Sequence, residues 1–297
     1  MRWRAALTVG ALATLWGHAN WLLNPGFAVR MQESYLITGC SSGLGRHAAL
    51  SLAKEGKTVF AAVRKDADGK DLVRAHEQSN SAKAGTIIPL ILDVTNSGAV
   101  EGAVTQIREA VAAGRAPPLT GVVNNAGVSL HQKVGAMDLA SVRKNFEVNL
   151  FGAVAITEAF LPLLETLEGG GGRIVHVGSL MGLVALPSSF PYSGTKWALE
   201  AYSDATRPVL AERNISVSLV QPGFVASKMC NLPHCREDGQ ELVTAAIQHA
   251  LTDRFPLARY PCAHVLFLPA WTIPYLLRIT PDRVMDLVLG HAVQRYR

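Results

Sequence analysis

A glycine-rich turn between an apolar strand and a helix is the feature that most constrains the fold of this chain. Residues 34–38 form a short apolar run, the turn Thr38-Gly39-Cys40-Ser41-Ser42-Gly43-Leu44-Gly45 follows, and helical spacing continues through 47–54. Glycines let the backbone turn tightly and approach a ligand closely. The free N–H groups and positive dipole end of the helix favour a diphosphate. The sequence therefore predicts a phosphate-binding loop near the start of an α/β domain.

Strands and helices alternate after this turn. Apolar runs at 34–38, 58–63, 87–92, 121–123, 173–177 and 216–220 predict strands, and helical patterns at 98–113, 137–167 and 192–212 separate most of them. Such alternation predicts right-handed crossovers and a parallel sheet. We expect a Rossmann-type, doubly wound α/β fold with the catalytic domain at 32–230. Residues 231–297, which are interrupted by prolines, are expected to form a helical cap of the same domain that covers the strand ends.

The N-terminal segment, residues 1–26, has a different composition. Residues 5–23 are nearly all apolar, and Arg2 and Arg4 precede them. As a helix this stretch spans roughly 28 Å, close to the thickness of a bilayer core. The favoured interpretation is a signal anchor that places the protein on a membrane, such as the endoplasmic reticulum, with a cytosolic N-terminus. A cleaved secretory peptide, an organellar transit peptide and a helix packed on the domain itself are the alternatives.

Composition narrows the function classes. Hydrophobic residues make up 49% of the 297-residue chain and charged residues 17%, which favours a membrane surface or a lipophilic ligand. The net charge of +5 comes without a dense basic block, so we expect no nucleic-acid partner. The four cysteines fit no zinc spacing, so we expect no metal. Reduced thiols are the favoured interpretation, with a Cys230–Cys235 bridge as the alternative in an oxidising compartment.

Further motifs follow the turn in a fixed order, and together they resemble the short-chain dehydrogenase/reductase family over residues 34–230. The motif residues are Asp93 and Val94; Asn125, Ala126 and Gly127; Asn149; Ser179; Tyr192 and Lys196; and Pro222, Gly223, Val225 and Ser227. The resemblance implies a nicotinamide-dependent oxidoreductase. It also implies that the cofactor contacts Gly39, Ser41, Ser42, Gly43, Leu44, Gly45, Arg64, Asp93, Val94, Asn125, Ala126, Gly127, Tyr192, Lys196, Pro222, Gly223, Val225 and Ser227.

The end of the second strand bears on the choice of dinucleotide. By the resemblance, an acid there selects NAD, but this chain has Val63 followed by Arg64 and Lys65. A carboxylate repels a 2′-phosphate, whereas a guanidinium binds it in a fork. We therefore expect NADP(H) to be preferred, with NAD(H) as the alternative.

Tyr192 and Lys196 lie four residues apart and so share one face of a helix. Tyrosine has a reference pKa of about 10, and we expect the nearby ammonium, together with the positive nicotinamide ring of an oxidised cofactor, to lower it to about 7. We expect Tyr192 to exchange a proton with an alcohol or carbonyl oxygen that Ser179 holds. By the resemblance, Asn149 supports a water that links Lys196 to solvent. A catalytically silent, cofactor-binding subunit of a larger assembly is the alternative class.

The substrate end depends on the C-terminal residues. Apolar and aromatic side chains at 265–268, Trp271, 275–277 and Ile279 favour a lipophilic alcohol or ketone. The segments at 60–65 and 190–196 resemble the hydroxysteroid and retinol dehydrogenase branch of the family. That resemblance implies a steroid-, retinoid- or acyl-like substrate, and the family's dimers and tetramers leave a homo-oligomer open.

Overall fold

The computed structural model describes residues 26–30, 32–79, 85–130, 132, 135–186, 189–227, 229–230, 235, 238–265, 268–273, 275–276, 280 and 284. The strands are β1 (Ser34–Ile37), β2 (Thr58–Val63), β3 (Thr86–Ile91), β4 (Leu119–Asn124), β5 (Gly172–Val177), β6 (Ile215–Pro222), β7 (Arg259–Cys262), β8 (His264–Val265) and β9 (Leu268–Pro269). The α-helices are α1 (Gly43–Lys54), α2 (Asp66–Glu77), α3 (Ser97–Ala112), α4 (Leu139–Phe146), α5 (Gly152–Glu165), α6 (Phe190–Ala211) and α7 (Gly239–Thr252). A π-helical turn (Glu147–Phe151) joins α4 to α5, and 3₁₀ turns lie at Leu180–Gly182 and Ala270–Thr272.

Seven strands form one parallel sheet in the order β3-β2-β1-β4-β5-β6-β7. This confirms the predicted doubly wound α/β fold. The chain order reverses between β1 and β4, and ligands of such sheets bind in the crevice at that point, beyond the carboxyl ends of the strands. The glycine-rich turn follows β1, so the fold brings it to that crevice.

Helices cover both faces of the sheet, which explains why its strands are almost continuously apolar. Leu52 of α1, Leu72 of α2 and Ile247 of α7 are buried on one face. Ile107 of α3 and Phe160 of α5 are buried on the other. The helices packed on both faces of the sheet therefore fix the strand ends that carry the site.

Part of the region expected to form the cap, residues 231–297, belongs to the core and the sheet. Helix α7 packs in the core through Val243 and Ile247, and β7 pairs with β6 through Val220 and Tyr260. The sequence did not predict β7, because Pro261 argues against a strand. Proline is tolerated there because β7 lies at the edge of the sheet, where its missing N–H breaks no ladder.

Among the described residues, one helical stretch, Leu139–Glu165, is long and apolar enough by composition to cross a membrane. Its residues Ile156, Phe160 and Leu164 are buried against the sheet. Core packing thus accounts for the apolar side chains on that face of the helix. The predicted anchor at residues 5–23 lies outside the described residues.

Candidate active site

The glycine-rich loop packs tightly against the residues that follow β4. Gly39 has a φ of +74°, and a Cβ placed on it would lie 2.9 Å from the Cα of Ala126. A Cβ on Gly45 would lie 2.6 Å from the main-chain oxygen of Gly39 and would also clash with the amide nitrogen of Asn125. Both positions therefore require glycine, one for its conformation and both for space.

Asn125 and Thr38 tie this loop to β4. The Asn125 amide donates to the main-chain oxygen of Thr38 over 2.8 Å. The Thr38 hydroxyl in turn accepts from the N–H groups of Asn125 and Ala126, each over 3.0 Å. Ser42, the N-cap of α1, makes no side-chain hydrogen bond to the first turn. The N–H groups of that turn are thus left for a ligand such as a diphosphate.

At the ends of β2 and β3, Val63 is buried and Arg64 is exposed. The Asp93 carboxylate accepts from the N–H and hydroxyl of Thr95, over 3.0 and 2.7 Å. These two hydrogen bonds, with a smaller effect of the Arg64 charge, hold the pKa of Asp93 below its usual value. Arg64 is the exposed basic side chain at the end of β2, where the sequence predicts the contact with a 2′-phosphate.

Tyr192 and Lys196, on α6, face Ser179, which follows β5. The Ser179 hydroxyl accepts from the N–H of Met181 over 3.1 Å, which fixes it at the start of the 3₁₀ turn. Burial raises the pKa of Tyr192 above its ordinary value, and a hydrogen bond with the Ser179 side chain acts in the opposite direction. The phenol therefore carries its proton at neutral pH.

The expected lowering of the Tyr192 pKa, by Lys196 together with the nicotinamide ring of an oxidised cofactor, stays a prediction. The Lys196 ammonium lies 5.5 Å from the centre of the Tyr192 ring and donates to the main-chain oxygen of Val177 over 2.7 Å. The end of β5 thus fixes the position of the ammonium. Burial lowers the pKa of Lys196 itself to about 8.

Asn149 is buried in the π-helical turn, behind the wall of the cleft. Its amide accepts from the N–H of Val128 and donates to the oxygen of Val128, each over 2.8 Å, and it donates to the Thr195 hydroxyl over 3.1 Å. The hydroxyl of Thr195 donates to the main-chain oxygen of Tyr192. Asn149 therefore joins the segment after β4 to the helix that carries Tyr192. Its expected part in a water relay stays a prediction.

Residues after β6 close the opposite wall. Gly223 packs on the backbone of His264, whose main-chain oxygen accepts from Phe224 over 2.8 Å. Ser227 lies across from the glycine loop, since a Cβ on Gly43 would meet the Cβ of Ser227 at 3.4 Å. The segment from Pro222 to Ser227 thus spans the cleft at the loop.

These elements enclose one cleft of about 2060 Å³. Every predicted site residue lines it except Gly45 and Asn149, which lie behind its wall. A further group of lining residues, which the sequence motifs did not predict, follows β4 or lies on α4 and the π-helical turn. These are Val128, Ser129, Leu130, Ala140, Arg143, Lys144, Glu147 and Val148. Their position beyond the carboxyl end of a central strand was the signal that could have found them.

The far end of the cleft is mainly apolar. Its lining there comprises Leu180, Met181, Val184, Leu186, Ile273, Leu276, Thr280 and Val284. Of the residues proposed from sequence to line the substrate end, Leu276 does so, while Trp271 and Tyr275 are more than half exposed and do not. The positions 266, 267, 277 and 279 lie outside the described residues.

Cys230, which lines the cleft, forms a disulfide with Cys235. The interpretation of four reduced thiols is therefore wrong for this pair. Cys40 and Cys262 are free thiols. Within the described ranges, no cluster of histidine, cysteine or acidic side chains could hold a metal ion.

A parallel sheet with a glycine loop at its switch point and a tyrosine–lysine pair in the same cleft defines the class of nucleotide-dependent oxidoreductases. A model of the short chain dehydrogenase family matches residues 33–233. The chain belongs to this family, and it is a dehydrogenase or reductase.

Individual relatives agree with this assignment. The chain is 34% identical over 274 residues to the uncharacterized oxidoreductase YbbO of Escherichia coli (strain K12), covering 87% of this chain and 94% of that one. It is 30% identical over 332 residues to retinol dehydrogenase 5 of Mus musculus, covering 97% of each chain. A short chain dehydrogenase from Burkholderia cenocepacia, solved in complex with NADP, is 25% identical with a TM-score of 0.67, covering 87% of this chain and 97% of that one.

Proposed function

We propose that this protein interconverts an alcohol and a carbonyl group on a lipophilic substrate, with NADP(H) as its cofactor. The observation that carries the proposal is that Tyr192, Ser179 and Lys196 lie on one cleft, which runs from the phosphate loop to an apolar end. A cleft of this kind receives a nucleotide at the loop and an apolar molecule at the other end.

The loop residues fit a nicotinamide dinucleotide. Gly39 and Gly43 adopt positive φ and keep side chains out of the cleft, and the first turn of α1 offers uncapped N–H groups. When bound, the nicotinamide supplies or accepts a hydride. In our proposal its diphosphate contacts the loop, and residues of the Pro222–Ser227 segment contact its other half.

For reduction, the Ser179 hydroxyl would hold the carbonyl oxygen and Tyr192 would give it a proton. The raised pKa of Tyr192 suits this step, because the phenol is protonated before reaction. The ammonium of Lys196, which Val177 holds 5.5 Å from the centre of the Tyr192 ring, would then stabilise the phenolate by its charge. For oxidation the proton moves from the substrate to Tyr192.

Arg64 supports a preference for NADP(H). Its exposed guanidinium lies on the cleft wall just after β2, with Val63 in place of an acid. A guanidinium binds a phosphate through paired, charge-assisted hydrogen bonds. The neutral ribose hydroxyl of NAD(H) carries no charge to match the guanidinium. NAD(H) is then the weaker cofactor.

The apolar end supports a steroid-, retinoid- or acyl-like substrate. The name of the murine relative, a retinol dehydrogenase, fits a long apolar alcohol. The described residues beyond β7 that line the cleft, Ile273, Leu276, Thr280 and Val284, are the part of the C-terminal region that we propose as the substrate cap.

Membrane association through residues 5–23 remains part of the proposal. A cytosolic N-terminus would place the catalytic domain across the membrane, and the Cys230–Cys235 disulfide supports an oxidising compartment for that domain. Removing residues 1–24 should move the protein to the soluble fraction. An unchanged distribution in fractionation would count against the anchor.

The main experiment follows the absorbance of NADPH with a panel of lipophilic ketones and aldehydes, alongside NADPH binding by calorimetry. Turnover that rises with substrate chain length supports the proposal. The silent-subunit alternative predicts tight NADPH binding without turnover across the panel. Failure to bind NADPH or NADH would contradict both.

A further inference from the structure

The Cys230–Cys235 disulfide lies beside the nucleotide end of the cleft. Cys230 lines the cleft, and the Cα atoms of the two cysteines are 6.1 Å apart. The proposed chemistry uses neither residue.

Cys230 is held to Ser227 by several hydrogen bonds. The main-chain N–H of each residue donates to the main-chain oxygen of the other, over 3.1 Å in both directions. The Ser227 hydroxyl also accepts from the N–H groups of Met229 and Cys230, each over 3.2 Å. A bond that restricts the position of Cys230 therefore also restricts the position of Ser227.

Ser227 in turn lies opposite the phosphate loop. A Cβ built on Gly43 would lie 3.4 Å from the Cβ of Ser227, so Ser227 is the side chain that faces this glycine across the cleft. Both residues line the cleft. Hydrogen bonds and the disulfide thus link Cys235 through Cys230 to Ser227, the residue that faces the loop.

We propose that the Cys230–Cys235 disulfide is a redox-sensitive site that positions Ser227 over the phosphate loop and strengthens nucleotide binding. The inference rests on the proposed cofactor site. The disulfide limits the conformations of this segment before binding, so less conformational entropy is lost when the nucleotide binds. Reduction frees the segment, and the nucleotide must then order it.

The reductant is a dithiol, such as dithiothreitol or a thioredoxin-type protein. One dithiol thiolate attacks a sulfur of the pair, the S–S bond breaks, and a mixed disulfide forms. The second thiol of the reductant displaces the remaining cysteine. Two electrons and two protons pass to Cys230 and Cys235, which become thiols, and the dithiol becomes a disulfide.

The other two cysteines do not obscure this reaction. Burial raises the pKa of Cys40 far above its ordinary value and that of Cys262 to about 12. Both are therefore protonated thiols of low reactivity.

The test measures the NADPH dissociation constant of the full chain by calorimetry after treatment with oxidised glutathione or with dithiothreitol. Free thiols are counted in denaturant, and we expect two before reduction and four after it. The dissociation constant should rise roughly tenfold on reduction, the factor that corresponds to ordering about one residue.

Two variants make the test specific. Cys235→Ser removes the disulfide from a residue outside the cleft wall, so it should show the weaker binding with or without dithiothreitol. Cys262→Ala keeps the disulfide and should respond to dithiothreitol like the wild type.

Four free thiols in the glutathione-treated protein would overturn the inference, as would equal dissociation constants in both states. Ketone turnover with redox-independent NADPH binding would sink this inference and leave the proposed function intact. Redox-dependent NADPH binding without turnover would support this inference and contradict the proposed function. Absence of nucleotide binding in both states would overturn both.

Discussion

Lys196 donates a hydrogen bond from its buried ammonium to the main-chain oxygen of Val177, the last residue of β5. Ser179 follows two residues later, so one strand end fixes both the lysine and the serine. Burial is the main influence on the pKa of Tyr192 and raises it, so the tyrosine keeps its proton at neutral pH.

The pKa of Lys196 predicts an alkaline loss of activity. Burial lowers this pKa from 10.5 to about 8, so Lys196 is charged below pH 8 and neutral above it. If the charge supports proton transfer, kcat/KM for NADPH, which reports the free enzyme, should be constant below pH 8 and decline above it. A profile that stays flat from pH 6 to pH 9.5 would contradict this role of Lys196.

Replacing Asn149 by alanine should destabilise the fold. The change leaves the N–H and oxygen of Val128 without their partner, which costs about 2–4 kcal/mol of the free energy of unfolding. Urea denaturation measures it.

Thr195→Val provides a matched comparison for Asn149. It removes one of the three Asn149 hydrogen bonds and the bond to Tyr192, so we expect a smaller loss of about 1–2 kcal/mol. Equal stability of wild type and Asn149→Ala would show that this amide does not hold the two segments together.

Much of this arrangement follows from the sequence, and the reasons are local. The phosphate loop needs glycine at positions 39 and 45, so the strand, glycine-rich turn and helix of residues 34–54 are recognisable in the sequence. The apolar strands β2, β4 and β6 are recognisable because both faces are covered. The edge strand β7 is not, since Pro261 and the charged Arg259 obscure it.

Long-range contacts account for what sequence analysis missed. The Lys196–Val177 bond and the Asn149–Val128 pair join residues 19 and 21 positions apart and leave no periodic trace. The apolar lining at Val184 and Leu276 comes from segments that meet only in the folded chain. Such contacts depend on how the elements are arranged in the fold. Sequence motifs predict the elements but not the individual contacts between them.

Gly45→Ala should weaken nucleotide binding. The added methyl group meets the Gly39 oxygen and the Asn125 amide, so the loop must move away from β4. We expect the NADPH dissociation constant to rise roughly tenfold, the equivalent of one or two lost hydrogen bonds.

Gly102→Ala is the control for Gly45→Ala. A Cβ at Gly102, in the middle of α3, meets no atom within 4 Å. This variant should bind NADPH normally and gain about 0.5–1 kcal/mol of stability. Similar NADPH binding by both variants would refute the tight packing proposed for the loop.

Arg64→Ala should lower the preference for NADPH. Loss of a charge-assisted hydrogen bond of about 1.5–3 kcal/mol raises KM for NADPH roughly tenfold to a hundredfold, with little change for NADH. Lys65→Ala is the matched control, because Lys65 is an exposed cation outside the cleft wall. A wild type that uses NADH as well as NADPH would contradict the proposed preference.

Tyr192→Phe tests the central claim most directly. The change removes the phenol oxygen and keeps the ring, so the cleft should retain its shape. With NADPH and the best ketone of the panel, we predict that kcat falls by a factor of about 10³ or more, while the NADPH dissociation constant stays within about twofold of the wild type. Turnover at the wild-type rate by this variant would contradict the assignment of Tyr192 as the proton donor.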